Sequence, residues 1–275
     1  MTEQAAYTVR NNLDAVRELG IEVRQTPFTN FQGTTIHLEE VTLTPLRKFL
    51  SYFNEPLDDL DAIAVAVQDH GVFPNGMSNR QFRIQTLKTL LTPNSRPENL
   101  AFIDEEVPSY FLRMRSAAEA SKRHLTNLDV YVMDTSPAAI LGCIADTNVN
   151  EDATILVVNV GNGHTMAALV KKNTIVGVME HHTHLLTPQK LEHLLTEFAN
   201  GTLSDQMIFE DNGHGLFYLE KAPGFSQIET IAGTGPNRAM LSKTALPIHY
   251  SAPGGDVMLT GPIGLIEAVN RKLTS

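Results

Sequence analysis

The chain has 275 residues, 42% of them hydrophobic and 19% charged, with a formal net charge of −10. This supplies apolar material for one large or two modest cores, and the acidic balance excludes a nucleic-acid surface, which needs clustered Lys and Arg. A single cysteine, Cys143, excludes an internal disulfide framework and any Cys-rich zinc or iron–sulfur site.

Along the chain, Ala6, Val9, Leu13, Val16 and Leu19 recur at three- and four-residue spacing and predict a helix over 3–19, stopped by Gly20. Residues 21–23 read as a strand and 46–53 as a short helix. The apolar run 62–67 reads as a strand buried on both faces. Helices follow over 78–91 and 109–124. Residues 92–100, with Pro and Asn, mark a subdomain boundary. Arg113, Arg115, Lys122 and Arg123 fit a solvated helix face better than an anion site.

The second half repeats one pattern at 130–146, 228–241 and 256–269: a short apolar strand, a small-residue turn, then a proline opening a helix. Pro137, Pro236 and Pro262 would be first helical residues, and each turn would leave free amides for an anion at a helix N-terminus. Between the first two lies a β-meander, with strands 155–160, 165–170 and 174–179 joined by turns at 161–164 and 171–173. A helix from Thr187-Pro188 to about Phe198 follows. The N-terminus lacks a basic-then-apolar leader, and no apolar run approaches roughly 18 residues. A cytoplasmic protein without a membrane span is expected.

The order of SPAAILGCIAD, VNVGNGHT, AGTGPNRAM and GPIGLIEAV resembles the second half of the actin, sugar-kinase and heat-shock-chaperone ATPase superfamily. The resemblance implies an α/β fold with an actin-like ATPase (ribonuclease H-like) core, a mixed sheet flanked by helices. Residues 1–100 would be the remnant of a first α/β subdomain, and 101–275 the second. It also implies ATP or ADP with Mg as cofactor. Gly161, Gly163, His164 and Thr165 would hold phosphate, Gly233, Thr234 and Gly235 would meet the nucleoside, and Asp134 would place metal or water. The chain departs from that pattern twice. It opens with TEQAAYTVRNNLDAV where the superfamily has an Asp-Gly-Thr hairpin, so the first segment is expected to be missing. Asn159 stands where the phosphate hairpin carries Asp, a poorer partner for a hard cation. A sheet edge left bare by the missing segment would favour a homodimer.

AVAVQDHG, NRQFR, VMDTSPAAILG, VVNVGNGHT, EHHTH and NGHG carry a closer resemblance, over nearly the whole chain. It is to a family of uncharacterised bacterial and archaeal proteins labelled pyruvate formate-lyase-activating enzymes. The label's chemistry needs three cysteines around an iron–sulfur cluster, which Cys143 alone does not supply.

The ten histidines give a different reading. Four groups stand at predicted strand ends or turns: Asp69-His70, His164, Glu180 to His184, and His214 between glycines. His70, His164, His181, His182, His184 and His214 are candidate ligands for zinc, manganese or iron(II), with Asp69 or Glu180 as ligand or general base, and Asp69, His70, Asp134, His164 and His182 are candidate catalytic groups. In an extended stretch His182 and His184 would share one face and His181 the other. The competing reading is that these rings bond buried loop backbone around a pocket. Three functions therefore stand at this level: a protein binding a nucleotide or small phosphorylated metabolite, possible phosphoryl transfer included; a metal-dependent hydrolase or lyase; and a non-catalytic regulator on a degenerate ATPase fold. All three involve a small anionic ligand rather than nucleic acid or membrane.

Overall fold

A computed structural model describes residues 1–57, 60–74, 76–125 and 128–274. Two short helices open the chain, α1 (Glu3–Ala6) and α2 (Leu13–Arg17), in place of the single helix predicted over 3–19. The break has a local cause. The Asn12 side chain accepts from the Asp14 and Ala15 amides and so caps a new helix. Residues 21–23 form no strand; only an isolated bridge joins Thr2 to Arg24. Helix α3 (Leu43–Ser51) leaves Leu46 and Phe49 exposed.

Strand β1 (Ala62–Ala66) leads to α4 (Asn79–Leu91), whose N-terminus is closed by a Ser78–Gln81 capping box. Then come β2 (Ala101–Ile103), α5 (Leu112–His124), β3 (Asp129–Met133) and α6 (Thr135–Ile144). These strands form a small sheet in the order β1-β3-β2, with β1 parallel and β2 antiparallel to β3. β1 precedes residue 100 whereas β2 and β3 follow it, so this sheet is built from both sides of the expected division. The basic face of α5 fastens the chain before β1. Arg113 grips the Glu40 carboxylate at 2.8 and 2.9 Å, and Arg123 reaches Glu39 at 2.8 Å.

The meander is as the alternation predicts, β4 (Thr154–Val160), β5 (His164–Lys171) and β6 (Thr174–His182). Lys172 and Asn173 take positive φ (49° and 61°), as a tight two-residue hairpin requires. Helices α7 (Pro188–Asn200) and α8 (Asp205–Glu210), strands β7 (Gly215–Tyr218), β8 (Thr230–Thr234) and β9 (Ile248–Tyr250), and helix α9 (Thr260–Leu273) complete the chain. The second sheet has the order β7-β6-β5-β4-β8-β9 and is mixed: β4, β8 and β9 run parallel, while β4 through β7 alternate. Central β4 is buried on both faces. Ile155 and Val157 pack with Ile140, Leu141 and Leu265 of α6 and α9, and Leu156 and Val158 pack with Leu191, Leu195 and Phe198 of α7. Fully burying such a side chain stabilises by roughly 1.5–3 kcal/mol, which is why these two layers define the fold.

Of the three proline turns only the first is a strand-to-helix turn. Pro137 is the third residue of α6, where its missing N–H is also no loss. After β8, Pro236 opens no α-helix, and a six-residue 3-10 segment, Arg238–Lys243, follows. In the third, residues 257–259 form a 3-10 turn and no strand. Its Gly264 serves packing: a Cβ there would collide with the Ala138 carbonyl, and one on Gly142 with that of Thr260. Thr260 thus lies at the far end of α6 from Asp134, so the three turns do not converge on one pocket.

Candidate functional site

The site lies where the carboxyl ends of β1 and β3 meet those of β4, β6 and β8. Beyond β1 the chain turns through Gln68-Asp69-His70-Gly71. The buried Asp69 carboxylate accepts amides from Gly71 (2.9 Å), Arg113 (2.8 Å) and Met114 (3.1 Å), which pins this loop onto the start of α5. Gly71 has φ +75°, and its bare backbone lies against the Phe82 ring. The loop presents His70.

The hairpin tip, residues 161–163, delivers His164 as the first residue of β5, directly opposite His182 on β6. Period-two alternation puts Glu180 on the His182 face and His181 on the other, where His181 meets Asp211 at 3.1 Å and is buried away from the cluster. His184 sits in a 3-10 turn past the strand end and is exposed, its ring 5.5 Å from that of His182. His214 enters just before β7. Its amide donates to the Glu180 carbonyl at 2.9 Å, and Arg80 holds the neighbouring Gly213 carbonyl at 2.6 Å.

Four imidazoles therefore meet. His70, His164 and His214 each offer a ligand atom within 4.8 Å of the others. The His182 ring lies 5.1 Å from His164 and 4.7 Å from His214, centroid to centroid. Nitrogens bound tetrahedrally to zinc stand about 3.3 Å apart, so modest side-chain rotation would close the set. Burial lowers the pKa of all four rings, to about 3 for His70 and about 2 for His214, so they are neutral at pH 7. The Gln68 amide nitrogen reaches His164 Nδ1 (2.6 Å) and His70 Nε2 (3.3 Å). Neither ring nitrogen of His214 has a hydrogen-bond partner, although the residue is 99% buried.

Beneath the imidazoles lies a charged layer centred on Arg83. Its guanidinium donates to both Asp134 oxygens (2.9 and 3.1 Å), to Glu180 Oε2 (2.6 Å) and to the Asp69 carbonyl (3.2 Å). Burial alone would disfavour these charges. The two carboxylates outweigh it for Arg83, whose pKa is raised, and Arg83 outweighs it for Asp134, whose carboxyl is held low. Asp134 also caps α6 through the Ser136 amide (3.0 Å). The anion-binding end of α6 is thus filled by the protein's own carboxylate.

The glycine-rich residues sit beside the cluster, but many have packing roles. Thr165 Oγ1 bonds Thr183 Oγ1 at 3.0 Å, and Asn159 is buried. A Cβ on Gly233 would lie 2.7 Å from Leu241, and Thr234 is buried. Gly235 takes φ +101° so that the turn can pass close to Val160. Gly161 accepts from Thr183 and Asn237 through its carbonyl, whereas Gly163 faces open space.

Arg83 and Gln68 were not among the sequence candidates. Arg83 shares a helical stripe with Leu87 and Leu91, and a cation in an apolar stripe requires a buried counter-charge.

Comparison with known proteins identifies the family. A family model described as "Putative pyruvate format-lyase activating enzyme (DUF1786)" matches residues 1–240. The chain belongs to that family. Burial lifts the Cys143 thiol to about 12, so this family member's one thiol stays protonated inside the core. No match was found among curated proteins. Among solved structures, the chain is similar to an exopolyphosphatase-like protein, with 16% identity over 44% of this chain and 41% of that one and a TM-score of 0.22. The alignment thus spans well under half of that protein. Among the described residues, no helix is long and apolar enough to cross a membrane.

Proposed function

We propose that this chain is a metal-dependent hydrolase or lyase of a small anionic substrate. In this reading His70, His164 and His214 bind one divalent transition ion, and the open, glycine-rich hairpin tip faces the substrate. The observation that carries it is His214, buried in a three-imidazole cluster with both ring nitrogens unpaired. Buried polar groups are rarely left so, and a soft-to-borderline cation is the partner that three neutral imidazoles suit. Three protein ligands leave a coordination position open, and the ion would lower the pKa of a water there to about 7. His182 adjoins the set and is neutral at pH 7, so it would serve as the base that accepts a proton from the attacking water and the acid that returns it to the leaving group. The test is turnover of model phosphate and carboxylate esters with zinc, manganese or iron(II). Metal-dependent hydrolysis lost in His164→Ala supports the reading. Hydrolysis that survives that change, or none with any ion, counts against it.

A second reading rests on strand order. The run β6-β5-β4-β8-β9, a meander followed by two strands parallel to its first, favours a ribonuclease H-like core of the actin superfamily, and with it nucleotide or phosphometabolite binding. Gly161, Gly163 and Gly235 follow β4 and β8 at the same end of the sheet as the imidazoles. A rise in melting temperature with ATP or ADP plus Mg, unaffected by chelation of transition metals, would favour it over the first.

A further inference from the structure

The histidine cluster leaves two polar groups unexplained, and they adjoin each other. Glu180 is wholly buried; its Oε2 accepts from Arg83, while its Oε1 has no hydrogen-bond partner. His214 Nδ1 lies 4.0 Å from Glu180 Oε2, just beyond bonding distance. The two backbones are locked together, because the His214 amide donates to the Glu180 carbonyl and Gly215 pairs with Glu180 across β6 and β7. The carboxylate is locked as well, since Arg83 is itself tied to Asp134 and to the Asp69 carbonyl. The imidazole is held by no hydrogen bond of its ring nitrogens, and a shift of about one ångström makes the bond.

We propose that Glu180 is the positioning residue for His214, accepting its Nδ1–H and leaving the Nε2 lone pair for an ion held with His70 and His164. This deepens the metal reading and rests on it. A neutral imidazole carries its one proton on either nitrogen, and a buried carboxylate beside Nδ1 selects the tautomer in which that nitrogen is the donor. Arg83 then acts at one remove: its bond to Oε2 keeps Glu180 aimed at the ring. Carboxylates in this position typically contribute 10- to 100-fold to metal affinity.

The experiment is zinc titration against a chromophoric chelator for the full chain and for Glu180→Gln, together with ¹⁵N-histidine NMR of the zinc-loaded wild type. The expected result is 10- to 100-fold weaker zinc binding in the variant, with the wild type showing His214 protonated on Nδ1 and metal-bound through Nε2. Equal affinities within twofold, or zinc on Nδ1 of His214, overturn the proposal while leaving the metal reading standing. A wild-type chain that binds no zinc, manganese or iron(II) overturns both. The NMR assignment uses the unaltered protein, so it decides the matter even if Glu180→Gln fails to fold.

Discussion

The site is built of two layers that treat buried polar groups in opposite ways. In the lower layer Arg83 meets Asp134 and Glu180 through three charge-assisted bonds, and Asp134 takes backbone amides on its remaining positions. In the upper layer four imidazoles crowd together, and in one of them, His214, neither ring nitrogen has a hydrogen-bond partner. The Arg83–Asp134 pairing fixes geometry, whereas the unpartnered ring nitrogens of His214 leave binding capacity open, with Glu180 Oε1 unpartnered between the two. The contrast teaches which residues hold the architecture and which await a ligand.

Breaking the lower layer should cost most. Arg83→Leu strands two buried carboxylates and should destabilise the fold by roughly 3–5 kcal/mol, read from urea denaturation. Completing the upper layer should stabilise: zinc at a hundred times its dissociation constant should add about 2.7 kcal/mol, and a chelator should remove it. Emptying the upper layer should matter least to the metal-free fold. His214→Leu removes an orphaned polar ring, so metal-free stability should shift by no more than about 1 kcal/mol in either direction, while the zinc effect disappears.

Acidity separates the layers by window. The folded His70 and His214 remain neutral to about 3 and 2, whereas their unfolded forms take up protons below the ordinary 6.5. The unfolded state therefore binds more protons, and stability falls as pH drops from about 7 to about 4. Asp134, held below its ordinary 3.8, keeps its contribution across that window and loses it only at lower pH. Asp69, raised by burial, acts in the opposite sense near its own titration. Urea midpoints at pH 7.5 and 5 should show the decline, and His214→Leu should flatten it.

Much of the upper layer was legible in the sequence. Alternation fixed the meander, and the Lys172-Asn173 hairpin between β5 and β6 sets the register that faces His164 with His182, although the sequence placed His164 in the preceding turn. The same alternation separated His181 from His182. His184 broke the pattern because β6 ends at His182, and a strand's end is set by its neighbours rather than by its own residues. The lower layer was much less visible. Arg83 contacts residues 51 and 97 positions away, and no local pattern pairs them. Strands β2, β7 and β9 are three or four residues long, too short for any period to register. The proline turns misled because glycine beside proline also serves helix packing, as Gly264 does against α6.

The most direct test of the two-layer account is zinc stoichiometry, measured by equilibrium dialysis and elemental analysis on the wild-type chain and His214→Leu in parallel. The account predicts one ion per wild-type chain and none retained by a variant that still folds. No bound ion in the wild type, or the same ion content in both proteins, would contradict it.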